Sequence, residues 1–119
     1  MNYILIFLGG GVGSLLRYFI GQITLKYSQN IALSTFFSNI LACFIFAFFY
    51  KLSNQFAFSQ QSKLVILTGF CGGLSTFSAF GFETFTLLKQ QHYFIAVVNI
   101  FASIGIALAL FYFITKKSI

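Results

Sequence analysis

Two ionisable side chains, Arg17 and Glu83, lie well inside apolar stretches of this chain. Facing lipid, each would cost several kcal/mol, so they must face protein, water or each other. In one reading Arg17 raises the local potential for an anion, and Glu83 orients that anion or another donor. In the other they are a structural pair near one interface, with Arg17 reaching for the head groups.

Neutral polar residues form two further stripes. Thr35, Ser38, Asn39, Ala42 and Cys43 recur at i, i+3, i+4, i+7 and i+8, the spacing of one helix face, while phenylalanines take most of the remaining positions. Asn99, Ser103 and Ala107 repeat the pattern at four-residue spacing. Two such faces could line a narrow wet path, or Asn39 could simply hydrogen-bond a neighbouring helix. No carboxylate accompanies the stripes, and acceptor-only groups are what a cation path uses, so the donors favour an anion.

The segment GFCGGLSTFSAFGFE is a poor continuous helix, because each Gly costs about 1 kcal/mol relative to Ala. A break is expected at Gly72-Gly73 and the Ser/Thr residues after it. Irregular backbone at membrane depth survives only where its freed groups are buried in protein, meet water or bind an ion. Phe77 and Phe80 flank Ser78 at i and i+3 and could project together. Their positive ring edges can meet a small anion without holding it tightly, although core packing is the ordinary role of a Phe.

Other signals point to structure. Gly9, Gly13, Arg17 and Gly21 recur every four residues, a stripe that reads as close helix packing. GGGVGS lacks the lysine of a phosphate loop. Cys43 and Cys71 form no metal spacing with His92 and read as small buried hydrophobes. With no nucleophile beside a base and no metal cluster, an enzyme is not expected.

The elements that must position these residues follow from composition. The chain has 119 residues, 59% hydrophobic and 7% charged, against roughly 25% charged in a soluble domain. So much apolar surface must face lipid. Residues 3–25, 31–50, 64–88 and 93–113 approach the length of about 20 apolar residues that crosses a bilayer, giving an all-α, four-helix membrane domain over 1–119. MNYILIFLGGG has no basic leader and reads as the first helix, not a signal peptide. The net charge of +6 does not indicate nucleic acid, because apart from Arg17 the basic residues sit between the apolar runs. With four crossings both termini share a side. Lys51, Lys63, Lys116 and Lys117 fall on it against Lys26 and Lys89 opposite, a small bias toward cytoplasmic termini. That small bias leaves both orientations open and would allow an antiparallel dimer.

GGGVGSLLRY, STFFSNILA and GFCGGLSTFSAF, in this order along the chain, resemble motifs of the Fluc or CrcB fluoride channels. The resemblance covers essentially the whole chain. It implies a passive, multi-pass channel of the cell inner membrane that exports fluoride and assembles as an antiparallel, dual-topology homodimer with two pores and a structural sodium ion. It further implies that Phe77 and Phe80 meet fluoride in the pore, that Asn39 and Ser78 are pore-associated, and that Thr35 and Ser103 extend a polar track. Gly72 and Ser75 would give backbone carbonyls to sodium. Ser75 stands where the family usually has Thr, Ala79 where a hydroxyl is common, and Ser34 and Ala42 where Gly is frequent. Asn99 and Ala107 stand where some members carry Tyr and Ser. The alternative is a small proton-coupled multidrug exporter, but those centre on a first-helix Glu among Trp and Tyr, whereas here Arg17 is in the first segment, Glu83 in the third and Trp is absent. A purely structural subunit is the other reading, and the broken third segment argues against it.

Overall fold

The computed structural model describes residues 1–116, apart from the side chain of Ile31; Lys117 of the charge count lies outside the described residues. Among the described residues, four helical crossings are long and apolar enough to span a membrane. They comprise α1 (Asn2–Tyr27), α2 (Ile31–Gln55), α3 (residues 60–74), α4 (Phe77–Lys89) and α5 (Tyr93–Thr115), with α3 and α4 sharing the third crossing. The long axis measures 49 Å, enough for a hydrocarbon core of about 30 Å and its head-group layers.

α2 and α3 reach further into the middle connection than hydropathy alone indicates, to Gln55 and from Gln60. Residues 51–63 contain no Gly or Pro to stop a helix, and outside the hydrocarbon a helix still satisfies its backbone. Caps mark the starts: Asn30 Oδ1 accepts from Ala32 N at 3.0 Å, and Ser59 Oγ from Ser62 N at 3.2 Å.

The third crossing is broken within the expected stretch, at the Ser/Thr residues and not at the glycines before them. Leu64–Cys71 is a wide, π-helical stretch and Gly72–Leu74 returns to α geometry, so Gly72 and Gly73 are helical. The extended residues are Ser75 (φ −83°, ψ 156°) and Thr76 (φ −154°, ψ 122°). The glycines of α3 serve contact instead. α1 packs chiefly along α3, and a Cβ at Gly13 would strike the Phe70 carbonyl oxygen, while one at Gly73 would strike that of Gly10. Two backbones approach here as they do at small-residue membrane contacts. Gly13→Val is therefore expected to abolish the monodisperse size-exclusion peak, and Gly11→Ala, where a Cβ meets nothing within 4 Å, to preserve it.

The interior is built from small and polar side chains. Ala32, Ala42, Ala47, Ala96, Ser38 and Thr35 are buried, whereas Phe7, Phe82, Phe94, Phe101 and Phe113 point outward. Large residues on the outside and small ones within is the pattern expected where lipid, not water, surrounds the helices. α2 packs mainly on α5, with Phe46 and Phe111 edge to face at 5.7 Å.

Candidate functional site: a groove at the break of the third crossing

An interrupted helix frees backbone groups that need partners. Thr76 starts α4, and its hydroxyl accepts from Ala79 N at 3.2 Å. Its own peptide groups go to one side chain on α2: Thr76 N donates to Asn39 Oδ1 at 2.8 Å, and Asn39 Nδ2 donates to Thr76 O at 3.3 Å. The helix-bonding alternative for Asn39 is thus realised, and the bonded partner is the break itself. In an unbroken helix Thr76 N would bond Gly72 O, so Asn39 diverts the donor that carbonyl would otherwise have.

The end of α3 is served from α1. Gly73 O accepts from Arg17 Nε at 3.1 Å and from Ser14 Oγ at 3.5 Å. The Arg17 charge therefore lies at a helix C-terminus, where the peptide dipoles favour a cation. Hydrogen bonds to charged groups are worth about 1.5–3 kcal/mol, so Arg17→Met is expected to lower the thermal midpoint of the purified protein clearly, and Arg17→Lys to recover part of the loss.

Beside the break lies a groove of about 350 Å³ lined by Asn39, Ser75, Thr76, Phe77, Phe80 and Ser103, with Cys43, Ile104, Ala107 and Leu108 completing its walls. The Phe77 and Phe80 rings sit 6.0 Å apart with planes tilted by 36°, and Phe77 is 84% exposed. The i, i+3 reading of these two residues holds.

The remaining polar candidates divide into separate networks. Ser103 Oγ donates to Asn99 Oδ1 at 3.4 Å, Asn99 Nδ2 to Thr84 Oγ1 at 3.3 Å, and Thr84 Oγ1 to Phe80 O at 2.8 Å, a buried ladder between α5 and α4. Thr35 Oγ1 donates to Glu83 Oε1 at 2.7 Å. Arg17 and Glu83 do not pair; Arg17 serves the end of α3, and Glu83, within α4, takes the Thr35 hydroxyl. Ser78 is exposed, shares a 3.1 Å hydrogen bond with the Thr76 hydroxyl, and does not line the groove. Ser38 Oγ and Glu83 Oε2 are buried without a hydrogen-bond partner.

The sequence marks Thr76 only as one of the Ser/Thr residues of the expected break, and it marks neither Thr84 nor the Gly73 carbonyl. For Thr76 a signal existed, since Ser/Thr directly before an apolar run is a helix-start signature. The Gly73 carbonyl could not be read, because its donors lie on another helix.

A multi-pass membrane protein with an interrupted third crossing and a polar groove at the interruption is the class that fold and site define. The sequence profile described as CrcB-like protein, Camphor Resistance (CrcB), matches residues 4–114, and the chain belongs to this family. It is similar to the fluoride-specific ion channel FluC of Pyrococcus abyssi, 40% identical over 90% of this chain and 87% of that protein. The protein of the same name from Methanococcus vannielii is 41% identical over 94% and 91% of the two chains, and that from Helicobacter pylori strain Shi470 is 35% identical over 93% of each.

Proposed function

We propose that this protein is a passive, fluoride-selective channel, not an enzyme, that lets fluoride leave the cytoplasm. The observation that carries the reading is the groove at the break, where the rings of Phe77 and Phe80 lie beside the amide of Asn39 and the hydroxyl of Ser103. Its relatives' shared function supports the same conclusion. One Asn39 amide hydrogen is committed to Thr76, and the second remains to meet an anion. The α4 N-terminus opens beside the groove at Thr76 and Phe77 and adds positive dipole.

Transport needs no energy coupling. Fluoride enters from an acidic medium as neutral HF and is trapped as the anion in the more alkaline interior; a negative interior of about 100 mV then supplies roughly 2.3 kcal/mol per charge for exit. Selectivity over chloride comes from donors in a narrow path that replace part of a tightly held hydration shell. Nothing in this site favours a proton-coupled exporter.

In the working form two copies associate in antiparallel, dual topology. The open side of the groove and the exposure of Phe77 support a second wall supplied by a partner. A sodium ion would be held by the Gly72 and Ser75 carbonyls of both copies. The residues fit: Gly72 O is deprived of its helical donor at Thr76, Ser75 is extended, and a Cβ on Gly72 meets nothing within 4 Å. Hard oxygen donors suit such an ion, and it would supply positive charge to carbonyls otherwise facing one another.

Purified protein in liposomes, assayed with a fluoride electrode beside a chloride control, tests the reading. Fluoride efflux above that of empty liposomes, without matching chloride efflux, is expected; no excess efflux of either ion rejects a channel. Because the ion would meet backbone oxygens, Ser75→Thr is expected to leave flux near the parent value, whereas dialysis over days against a large organic cation lowers it. Undiminished flux after elemental analysis shows sodium gone would exclude an essential ion.

A further inference from the structure

The two thiols of the chain, distant in sequence and assigned no task by the channel reading, line one cavity. Cys43 on α2 and Cys71 on α3 border a space of about 140 Å³ together with Ser75, Phe46 and Phe111. Both thiols are free; Cys71 is 3% exposed and Cys43 half-buried. Cys43 also borders the groove that holds Asn39, Phe77 and Phe80, so one cysteine lies on the wall between the two spaces. Among the described residues, no cluster of three or more His, Cys, Asp or Glu is placed to hold a metal.

We propose that Cys43 and Cys71 together form a two-coordinate site for a soft divalent cation of the mercury(II) class, and that its occupation obstructs the groove. Ligand chemistry selects this class. Thiolate sulfur prefers soft ions, and two ligands fall short of the four that zinc takes, whereas mercury(II) is satisfied by two in a line. Charge selects it as well. Apart from Gly72 and Ser75 the other walls, Ala42, Phe46, Leu67 and Phe111, are apolar, and an uncompensated charge against them is costly; two thiolates and one dication sum to zero. With mercuric chloride, each S–H bond is replaced by an S–Hg bond, two protons pass to solvent, two chlorides leave, and no atom changes oxidation state. The reagent is itself uncharged and can enter from the lipid side. Once bound, the metal sits on a wall of the groove.

Binding is measured on the purified full-length protein, independently of transport. The protein is loaded with mercuric chloride and challenged with excess monothiol, and retained mercury is counted by elemental analysis. The parent is expected to keep one mercury per chain. Cys43→Ser and Cys71→Ser each hold mercury through a single sulfur and are expected to release it at roughly a hundredfold lower competitor, the usual advantage of two linked ligands over one. Equal release from parent and single variants, or one mercury on each thiol of the parent, overturns the site.

The effect on the groove rests on the channel reading and is measured second, as fluoride efflux with and without mercury for each protein against itself. Efflux should fall in the parent and be insensitive to mercury in Cys43→Ser/Cys71→Ser. Unaltered efflux from mercury-loaded parent overturns the obstruction. Absence of efflux before mercury is added is instead a failure of the channel reading, and the retention assay still decides the site.

Discussion

Phe80→Ile is expected to slow fluoride flux strongly, about fivefold or more, while the protein keeps its size-exclusion profile. A polarised ring edge contributes on the order of 1 kcal/mol to a favourable contact, and about 1.4 kcal/mol is a tenfold rate or equilibrium factor. Isoleucine fills similar space without a ring, so packing changes little and the electrostatics change most. Phe80 also lies beside Phe77, 6.0 Å between centroids, and Phe77→Ile should act in the same direction. Efflux and elution are measured on the same preparation. Parent-like flux from Phe80→Ile would show that this residue is packing alone.

Asn39→Asp is expected to be as severe for a different reason. Its carboxylate can still accept from Thr76 N, but it has no donor for Thr76 O, the acceptor of the 3.3 Å bond from Asn39 Nδ2. It also sets a fixed negative charge in the groove wall. At an effective dielectric of about 20, two like charges about 4 Å apart repel by roughly 4 kcal/mol, enough to suppress passage of an anion. Protonation removes that charge and returns a donor, so any recovery should appear on the acid side. Flux compared at about pH 5 and about pH 8, which bracket a carboxylate raised well above its ordinary value of about 3.9, tests for such recovery: parent rates at both would remove Asn39 from the path. Asn39→Ala isolates the structural share. It leaves both Thr76 peptide groups without their partner, at about 1–3 kcal/mol for each unsatisfied group, and should lower the thermal midpoint.

Much of this architecture is legible before any coordinates. Four apolar runs separated by short polar connections can only be four crossings in a chain with so few charges. The glycine stripe of α1 is a packing face, and it packs on α3. The i, i+3 spacing of Phe77 and Phe80 predicts their juxtaposition because both belong to one helix. The Thr35 to Cys43 face likewise brings Asn39 and Cys43 to one groove.

What failed to read is what depends on partners between helices. Within the expected stretch from Gly72 to Ser78 the break takes Ser75 and Thr76 and spares the glycines, because Gly73 is needed in helical form against α1 while Asn39 rewards an extended Thr76. Propensity counts the local cost of glycine and is blind to both contacts. Arg17 and Glu83 invite pairing as the charges set within crossings, yet each finds another partner, Gly73 O for one and the Thr35 hydroxyl for the other. Ser78 shares its segment with Phe77 and Phe80 and still turns away, since its hydroxyl bonds that of Thr76. Sequence alone therefore determined the number, order and polar faces of the crossings, because hydropathy and helical period are properties of each segment by itself. Tertiary structure alone decided where the third crossing opens and which side chains satisfy its ends, because a freed peptide group is stabilised by whichever helix stands beside it.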